Sequence, residues 1–311
     1  MPLDPRVRRF LDSLAVGAAR RTGDLTVAER RASFARLLAL GGEPPPIGAV
    51  EERQVPGGAG PLRVRIYTPL GAPPSCLPGL IFFHGGGLVA GTLDTHDGIC
   101  RQLSQASGCR VVSVDYRLGP EARFPAALED ACAATRWVMG QTEAFGLDPR
   151  RVGVGGDSAG ATLAAAVCQT LTAAGEGGIA LQVLLCPILD YRAQTASRCE
   201  FAHGYLLDRG TLEHDLAHLL GPADDADDPR ISPLRAPAFG GLPPACIHTA
   251  ECDPLRDEGK LYAQRLRESD VQVRYRCHPG MIHLFYGLGA VIPQVAAAYH
   301  TIGTDIRALY G

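Results

Sequence analysis

The sequence has little of what marks secreted, membrane-spanning or nucleic-acid-binding proteins. Its first ten residues carry three arginines and lack the apolar segment and the small-residue cleavage site of a secretory signal. Two stretches lack formal charge, but 158–175 contains the glycine-rich turn described below, and 277–304 is interrupted by prolines and glycines. Neither predicts a membrane helix. We therefore expect a cytoplasmic protein without a membrane span.

The charge balance gives no strongly basic or acidic surface. The chain has 30 lysines and arginines and 33 aspartates and glutamates, mixed along its length, and a net charge of −3. Binding to nucleic acid or to an anionic membrane depends on clustered positive charge. A small neutral molecule is the expected binding partner.

The ten cysteines are many for a cytosolic enzyme, yet none forms a Cys-x-x-Cys pair. Most stand singly among apolar neighbours, which predicts buried free thiols rather than disulfides or a zinc site. Cys252 differs because it adjoins Asp253, a candidate functional residue. A thiol close to the active site is therefore an alternative to simple packing of Cys252.

Short apolar strands alternate with helical stretches from residue 80 onward. Strands are predicted at 80–83, 110–114, 152–155, 181–186, 245–249 and 271–275, after a hairpin of 51–56 and 62–68. Helices are predicted at 94–107, 125–142, 159–174, 254–269 and 292–309. This alternation predicts an α/β fold in which helices cover both faces of a mostly parallel sheet.

Two segments outside this alternation are expected to lie over the strand ends. Apolar residues at helical spacing predict amphipathic helices at 5–17 and around Phe34 to Leu38, before the prolines at 44–46 stop the helix. The stretch 190–221 is too long for a simple connection and also has helical spacing. We interpret 1–45 as a helical cap and 46–311 as the main domain, with a cap insertion around 190–220. The alternative is that the first helices only pack on the core.

The pentapeptide Gly156-Asp157-Ser158-Ala159-Gly160 stands between a valine-containing strand and an alanine-rich helix. In that context Gly-x-Ser-x-Gly is typical of a nucleophile elbow, a strained turn that exposes a serine hydroxyl above the sheet. The turn is so tight that the positions two before and two after the serine need glycine. Alternatively, Asp157 or Ser158 would cap the helix. The flanking strand and helix favour Ser158 as a nucleophile.

The run His84-Gly85-Gly86-Gly87 ends the strand 80–83 and leaves backbone N–H groups exposed. Acyl transfer places negative charge on a carbonyl oxygen, and an oxyanion hole stabilises that charge with fixed N–H donors. A phosphate-binding loop is the alternative, but the sequence has neither the Gly-x-x-x-x-Gly-Lys nor the Gly-x-Gly-x-x-Gly fingerprint in the required place. The run therefore predicts an oxyanion loop.

A serine nucleophile needs a base, and the chain order serine, acid, histidine places that base after the last strand. Three histidines lie there: His278, His283 and His300. His278 closes the predicted strand and His300 falls in the middle of the last helix, whereas His283 is predicted in a loop that can direct its ring at Ser158. We select His283.

The acid should hold the histidine ring and stabilise the imidazolium that forms. Asp253 follows the strand 245–249 and is our choice. Because it precedes Pro254, it would also serve as a helix cap. Glu251 and Asp257 compete for the same role.

These motifs resemble those of the hormone-sensitive-lipase-like branch of the α/β-hydrolases, microbial esterases marked by His-Gly-Gly-Gly and Gly-Asp-Ser-Ala-Gly. The likeness continues at 113–118, 120–121, 124–127, 228–234, 253–257 and 280–283. It implies an α/β-hydrolase fold with a mostly parallel eight-stranded sheet and an N-terminal helical cap. The chain departs from the family at Leu88, where an aromatic is usual, and at Ala161 and Leu284, where glycine is common. These departures affect the expected shape of the pocket.

The resemblance also implies the roles of individual residues. The catalytic triad would be Ser158, Asp253 and His283. The oxyanion hole would consist of the backbone N–H groups of Gly85, Gly86 and Ala159. Family members hydrolyse short- to medium-chain esters through an acyl-enzyme without a metal or organic cofactor, and some pair through sheet edges, which makes a homodimer a further hypothesis.

Other functions stay open from the sequence alone. His214 and His218 lie at i and i+4, which is the spacing of two zinc ligands in a zinc hydrolase, although no third ligand is evident. The acidic run 224–228 lacks calcium-loop spacing and predicts a solvated turn. A non-catalytic receptor can use the same fold, and an amidase or formamidase would use the same triad.

Overall fold

A single sheet of eight strands forms the centre of the protein. In this computed structural model, which describes residues 3–17, 22–73 and 76–311, the strands are β1 (Ala49–Pro56), β2 (Pro61–Thr68), β3 (Leu77–Phe83), β4 (Arg110–Val114), β5 (Leu147–Asp157), β6 (Gln182–Leu185), β7 (Ala245–Cys252) and β8 (Val273–Ile282). Their order in the sheet is β1-β2-β4-β3-β5-β6-β7-β8. β2 pairs antiparallel with β1 and β4, and the other neighbours are parallel. The predicted fold class is confirmed.

Helices connect the strands much as the sequence predicts. They are α1 (Pro5–Gly17), α2 (Val27–Leu38), α3 (Asp97–Ser107), α4 (Ala126–Gly140), α5 (Ala159–Ala173), α6 (Ala196–Glu200), α7 (Arg209–Leu219), α8 (Arg256–Glu268) and α9 (Val295–Tyr310). The parts of the predicted cap at 1–2 and 18–21 lie outside the described residues. Within the described ranges, no helix combines the length and the apolar character needed to cross a bilayer.

Two apolar cores lie on opposite faces of the sheet, because alternate side chains of a strand point to opposite faces. In β3, Ile81 and Phe83 belong to the core that packs against α4, α5 and α8. Leu80 and Phe82 belong to the core that packs against α1, α2, α3 and α9. All four side chains are fully buried. A strand buried on both faces is apolar at every position, which is why 80–83 shows no alternation in the sequence.

The strand β8 differs most from its prediction, since it was expected at 271–275 and extends to Ile282. It passes through Pro279, which has no N–H to donate. The pairing of β8 with β7 is irregular between His278 and Ile282, and β8 is the edge strand of the sheet, where a proline is tolerated. His283 therefore directly follows a strand, and the expectation that it lies within a loop beginning at Pro279 is wrong.

The carboxyl ends of the parallel strands meet at one edge of the sheet. β3 ends one residue before His84, β5 ends one residue before Ser158, β7 ends one residue before Asp253 and β8 ends one residue before His283. Ligands of open α/β sheets bind at this edge. The fold thus brings together residues that are far apart in the sequence.

Candidate active site

The turn between β5 and α5 places Ser158 in a strained conformation, with φ of 53° and ψ of −120°. A Cβ added to Gly160 would lie 2.0 Å from the carbonyl oxygen of Phe83. A Cβ added to Gly156 would lie 2.4 Å from backbone atoms of Gly160. Side chains do not fit at such distances, so both positions require glycine. Strain of this kind persists only where the surrounding structure enforces it.

The hydroxyl of Ser158 is directed at His283. Ser158 occupies the N-cap position of α5, but its side chain makes no cap hydrogen bond, so the helix-cap alternative is wrong for this hydroxyl. Instead Ser158 Oγ lies 3.0 Å from His283 Nε2. The serine is 7% exposed, which leaves its hydroxyl buried except toward the cavity described below.

His283 connects Ser158 to Asp253. Its Nδ1 lies 2.9 Å from Asp253 Oδ2. A carboxylate only accepts hydrogen bonds, so Nδ1 carries the hydrogen and Nε2 is the ring atom that accepts from Ser158. Asp253 is fully buried, and its Oδ1 accepts the N–H of Leu255 at 2.8 Å. Oδ1 of Asp253 therefore fixes the backbone at Leu255, while Oδ2 fixes the ring of His283.

The competing acids and bases lie elsewhere. Glu251 accepts the N–H of Gly280 at 2.7 Å. Asp257 accepts the N–H of Ser197 and is paired with Arg256, at 2.9 Å in both cases. His278 faces His248, with 2.9 Å between His278 Nε2 and His248 Nδ1. His300 is exposed on α9.

The glycine-rich loop after β3 is anchored on the elbow through Asp157. The Gly85 N–H donates to Asp157 Oδ1 at 2.9 Å and lies 3.2 Å from His96 Nε2. This donor is engaged, so the expectation that Gly85 contributes to an oxyanion hole does not fit the structure. Gly86 and Gly87, in contrast, are among the described residues that line the cavity at Ser158.

His84 is buried beneath this loop and shapes it. Its ring stacks on Tyr116, with 4.4 Å between the ring centroids, and its Nδ1 lies 2.9 Å from the Gly85 carbonyl oxygen. Burial, reinforced by the neighbouring His96, lowers the pKa of His84 to about 3. His84 is therefore neutral near pH 7 and supports the loop as an uncharged side chain.

A cavity of about 1310 Å³ opens above Ser158 and His283. Apolar side chains from α1, α2, the 204–208 connection and α7 form much of its wall: Leu11, Leu14, Leu37, Leu206, Leu207 and Leu212. Ligand pockets in proteins have volumes of roughly 300–1,000 Å³. The cavity is thus ample for a small organic molecule and has the apolar character that such sites share.

A thiol stands beside the predicted triad, and it is not the one next to Asp253 in the sequence. Cys252 ends β7 and packs in one of the two cores. Cys186, which follows β6 with φ of 45°, places its Sγ within 4.8 Å of ligand atoms of Asp253 and His283. Among the described residues this is the one group of three potential metal ligands. Because His283 and Asp253 are bonded to each other, an ion there would compete with that bond.

The two histidines of α7 serve a different purpose from a metal centre. His214 Nδ1 lies 3.1 Å from Asp215 Oδ1, and its Nε2 lies 3.0 Å from the Leu25 carbonyl oxygen. His218 Nδ1 lies 2.8 Å from the His214 carbonyl oxygen of its own helix. Since a carbonyl oxygen only accepts, His218 Nδ1 is the donor there. Both His214 ring nitrogens are thus occupied, and the contact of Nε2 with Leu25 joins α7 to the segment before α2.

Comparison with known proteins supports the same family. A family model described as the alpha/beta hydrolase fold matches residues 80–287. The carboxylic ester hydrolase LipN of Mycobacterium tuberculosis is 42% identical over 265 residues, which cover 83% of this chain and 70% of LipN. Carboxylesterase NlhH of the same organism is 36% identical over 300 residues, which cover 95% of this chain and 92% of NlhH.

A solved structure agrees along nearly the whole chain. It is the ester hydrolase EH1AB1 from the metagenome of Lake Arreo, complexed with a derivative of bipyridine phosphonate. It matches with a TM-score of 0.95 and 40% identity, covering 99% of both chains. This chain belongs to the hormone-sensitive-lipase-like carboxylesterase family of the α/β-hydrolases.

Two of the three departures of the sequence from this carboxylesterase family coincide with unusual backbone conformations. Leu284, where the family commonly has glycine, has φ of 60°, and so does Leu88, which follows the glycine-rich loop. Both leucines are buried. A positive φ is strained for a residue with a Cβ, and glycine relieves that strain. Leu284 also lines the cavity, so in this chain the backbone strain accompanies an added apolar surface near His283.

Proposed function

We propose that this protein is a serine carboxylesterase that hydrolyses short- to medium-chain acyl esters through Ser158, His283 and Asp253. The hydrogen-bonded series from Asp253 through His283 to Ser158 carries the proposal, since it has the geometry of a nucleophile, a base and an orienting acid. Its place at the floor of a largely apolar cavity supports an organic ester as substrate. The relatives named as carboxylic ester hydrolases support the same reaction.

The reaction begins with proton transfer from Ser158 to His283. Nε2 takes the proton while Oγ forms a bond to the ester carbonyl carbon, and Asp253 stabilises the imidazolium through Nδ1. His283 then returns the proton to the alcohol oxygen as its bond to carbon breaks, and an acyl-enzyme remains on Ser158. A water molecule, deprotonated by His283, attacks this ester and releases the carboxylic acid.

The oxyanion of each tetrahedral intermediate is stabilised by backbone N–H groups. We assign this role to Gly86, Gly87 and Ala159, because Gly86 and Gly87 line the cavity and Ala159 opens the helix directly after the nucleophile. Gly85 is left out since its N–H is bonded to Asp157. A single donor of this kind is worth about 3 kcal/mol in the transition state.

The helices α1, α2 and α7 act as the cap. They correspond to the expected cap of residues 1–45 and to the insertion around 190–220, and each contributes side chains to the cavity wall. The leucines of the cavity wall suit the apolar acyl chain of an ester, and the preference for short to medium chains is carried over from the family. An amidase would use the same residues, and the names of the relatives favour the ester. The cytoplasmic location and the homodimer stay predictions.

Hydrolysis of p-nitrophenyl esters of graded chain length tests the proposal. The wild type should prefer the acetate to octanoate range over palmitate, and Ser158→Ala should lower kcat by about 10⁶-fold. Ser113→Ala is the matched control, because Ser113 is a buried serine on β4 that is not among the described cavity residues. Wild-type turnover by Ser158→Ala would refute the proposal, and turnover of acyl amides without esters would favour the amidase.

A further inference from the structure

A buried ion pair lies in the wall of the cavity, beside apolar residues such as Phe34 and Leu212. Arg30 on α2 donates from Nε to Asp215 Oδ1 at 3.2 Å and from Nη2 to Asp215 Oδ2 at 2.8 Å. The side chains are only 9% and 5% exposed. Both residues line the same cavity as Ser158 and His283. The pair therefore presents its remaining polar surface to the substrate space rather than to bulk solvent.

The pair touches the glycine-rich loop that follows β3. A Cβ added to Gly87 would lie 2.0 Å from Asp215 Oδ2, so the carboxylate packs directly on the backbone of Gly87. Gly86 and Gly87 are two of the proposed oxyanion donors. A substrate whose carbonyl oxygen is held by this loop would have its neighbouring atoms close to Asp215 and Arg30.

Stability alone does not account for the pair. Replacing a buried ion pair by apolar side chains of similar volume is often neutral or stabilising, because two charges lose their hydration on burial. Leu207 and Leu212 show that apolar side chains form other parts of the same wall. Leucine side chains packed between α2 and α7 would thus also hold the two helices together. The charged groups add something that leucines lack, namely directed hydrogen bonding.

The chemistry of the pair defines the group that it would bind. Arg30 contacts Asp215 through Nε and Nη2, which leaves the Nη1 hydrogens on the far edge of the guanidinium. Asp215 Oδ1 also contacts His214 Nδ1 at 3.1 Å, so Oδ2, which accepts from Arg30 Nη2, is the oxygen that can accept a further hydrogen bond. The pair has no net charge, so a carboxylate on the substrate would face Asp215 and an ammonium would face Arg30. A neutral group that both donates and accepts, such as a hydroxyl, suits both partners.

We propose that Arg30 and Asp215 select esters that carry an aliphatic hydroxyl near the reacting carbonyl. The inference rests on the proposed esterase function and specifies the substrate class of the same site. The hydroxyl can belong to the acyl part or to the alcohol part of the ester. A hydroxyl at this position gains hydrogen bonds to charged groups, which an analogue without the hydroxyl does not make.

Three esters of similar size separate these cases: ethyl butanoate, ethyl 3-hydroxybutanoate and 2-hydroxyethyl butanoate. Their hydrolysis is followed by titration of the released acid at constant pH. The wild type should have a kcat/KM for at least one hydroxy ester about tenfold above that for ethyl butanoate. The hydroxy ester with the higher kcat/KM shows whether the hydroxyl binds on the acyl or the alcohol side. A ratio at or below one for both hydroxy esters would overturn the inference.

The double variant Arg30→Met/Asp215→Leu removes the polar groups while it keeps the wall filled. It should abolish the tenfold preference, whereas Arg209→Met/Glu213→Leu should retain it. The control removes an exposed pair on the same helix α7, with side chains 73% and 70% exposed. Thermal unfolding of each variant shows that it is folded. A folded double variant with the wild-type preference would overturn the inference.

Asp215→Asn provides a second readout that a purely structural role would not move. It preserves the shape of the side chain and leaves the charge of Arg30 without a partner. Hydrolysis of monoethyl succinate, whose free carboxylate would then pair with Arg30, should rise severalfold relative to ethyl butanoate. An unchanged ratio would contradict the inference. If the wild type hydrolysed none of these esters, the esterase proposal itself would fail, so the two failures are distinguishable.

Discussion

Ser158 Oγ and His283 Nε2 lie 3.0 Å apart although 125 positions separate the two residues in the sequence. The contact forms because β5 and β8 end at the same edge of the sheet, and each residue directly follows its strand. The short turns hold both side chains on rigid elements. A proton can pass between them only while both strand ends keep their places, so substitution of the residues that fix this geometry should lower the rate of hydrolysis.

Asp253→Asn should lower kcat for p-nitrophenyl acetate by about 10⁴-fold while the protein stays folded. The amide keeps the shape of the carboxylate but favours the ring tautomer with the hydrogen on Nε2, which can no longer accept the Ser158 proton. Asp257→Asn is the matched control, since Asp257 contacts Ser197 and Arg256 and not His283. If Asp257→Asn lowered kcat more than Asp253→Asn, Asp257 would be the acid that orients His283.

Gly160→Ala should destabilise the protein and abolish most of its activity. The new Cβ would lie 2.0 Å from the Phe83 carbonyl oxygen, so either the elbow or the end of β3 must move. Overpacking of a rigid site costs about 1–3 kcal/mol, and a backbone clash belongs at the upper end. Gly98→Ala, at a helical glycine with no atom within 4 Å of the added Cβ, should be neutral or stabilising. Urea unfolding and ester hydrolysis of both variants check this; equal stability of the two would be contrary evidence.

Iodoacetamide at pH 7.5 should leave ester hydrolysis intact. Cys186 is fully buried beside the proposed triad, and burial, together with the nearby Asp253 charge, raises the pKa of its thiol well above the ordinary range. Labelling should be confined to the three exposed cysteines, which are Cys76, Cys199 and Cys277. Peptide mass spectrometry locates the adducts. Rapid modification of Cys186 with parallel loss of activity would show that this thiol is accessible.

Stability should fall as the pH is lowered below about 6.5, partly because of two buried histidines. Burial lowers the pKa of His84 to about 3, and burial beside His278 lowers the pKa of His248 to about 3. In the unfolded chain both titrate near pH 6.5. Between these values the unfolded state binds more protons, so each histidine removes about 1.4 kcal/mol of stability per pH unit.

Urea unfolding from pH 8 to pH 4.5 measures this slope. Above pH 6.5 the two histidines do not reduce the free energy of unfolding. Below pH 6.5 they reduce it steadily, down to pH 4.5. His248→Gln should reduce the slope by about 1.4 kcal/mol per pH unit. His300→Gln, at an exposed position on α9, is the matched control. Identical slopes for wild type and His248→Gln would contradict the assignment.

Much of the fold follows from patterns that burial imposes on the sequence. The strand around Leu80 and Phe82 is apolar throughout because helices cover both of its faces, and α1 starts and stops where the spacing of Val7 and Phe10 predicts. The sequence does not predict the full length of β8, because a proline such as Pro279 usually ends a strand. Its position at the sheet edge and the local irregularity in pairing, which permit the proline, are properties of the assembled sheet.

The site was predictable where chemistry demands particular residues in a particular order, and less so where only position in space matters. Three consecutive glycines look alike in the sequence, so nothing in it shows that the Gly85 N–H turns to Asp157. Cys186 is 67 residues from Asp253, whereas the adjacent Cys252 side chain packs in the core. Arg30 and Asp215 are 185 positions apart among many other charged residues. Such pairs emerge only when the chain is folded.

The proposed reaction depends on Ser158 as the nucleophile that His283 activates. Diethyl p-nitrophenyl phosphate, which transfers its phosphoryl group to an activated serine, tests it most directly when released p-nitrophenol and the modified peptide are both measured. We expect release of one equivalent of p-nitrophenol, one phosphoryl group on the peptide that contains Ser158, and parallel loss of ester hydrolysis. Ser158→Ala should release none above background. A phosphoryl group on another residue with full loss of activity, or full activity with Ser158 modified, would contradict the claim.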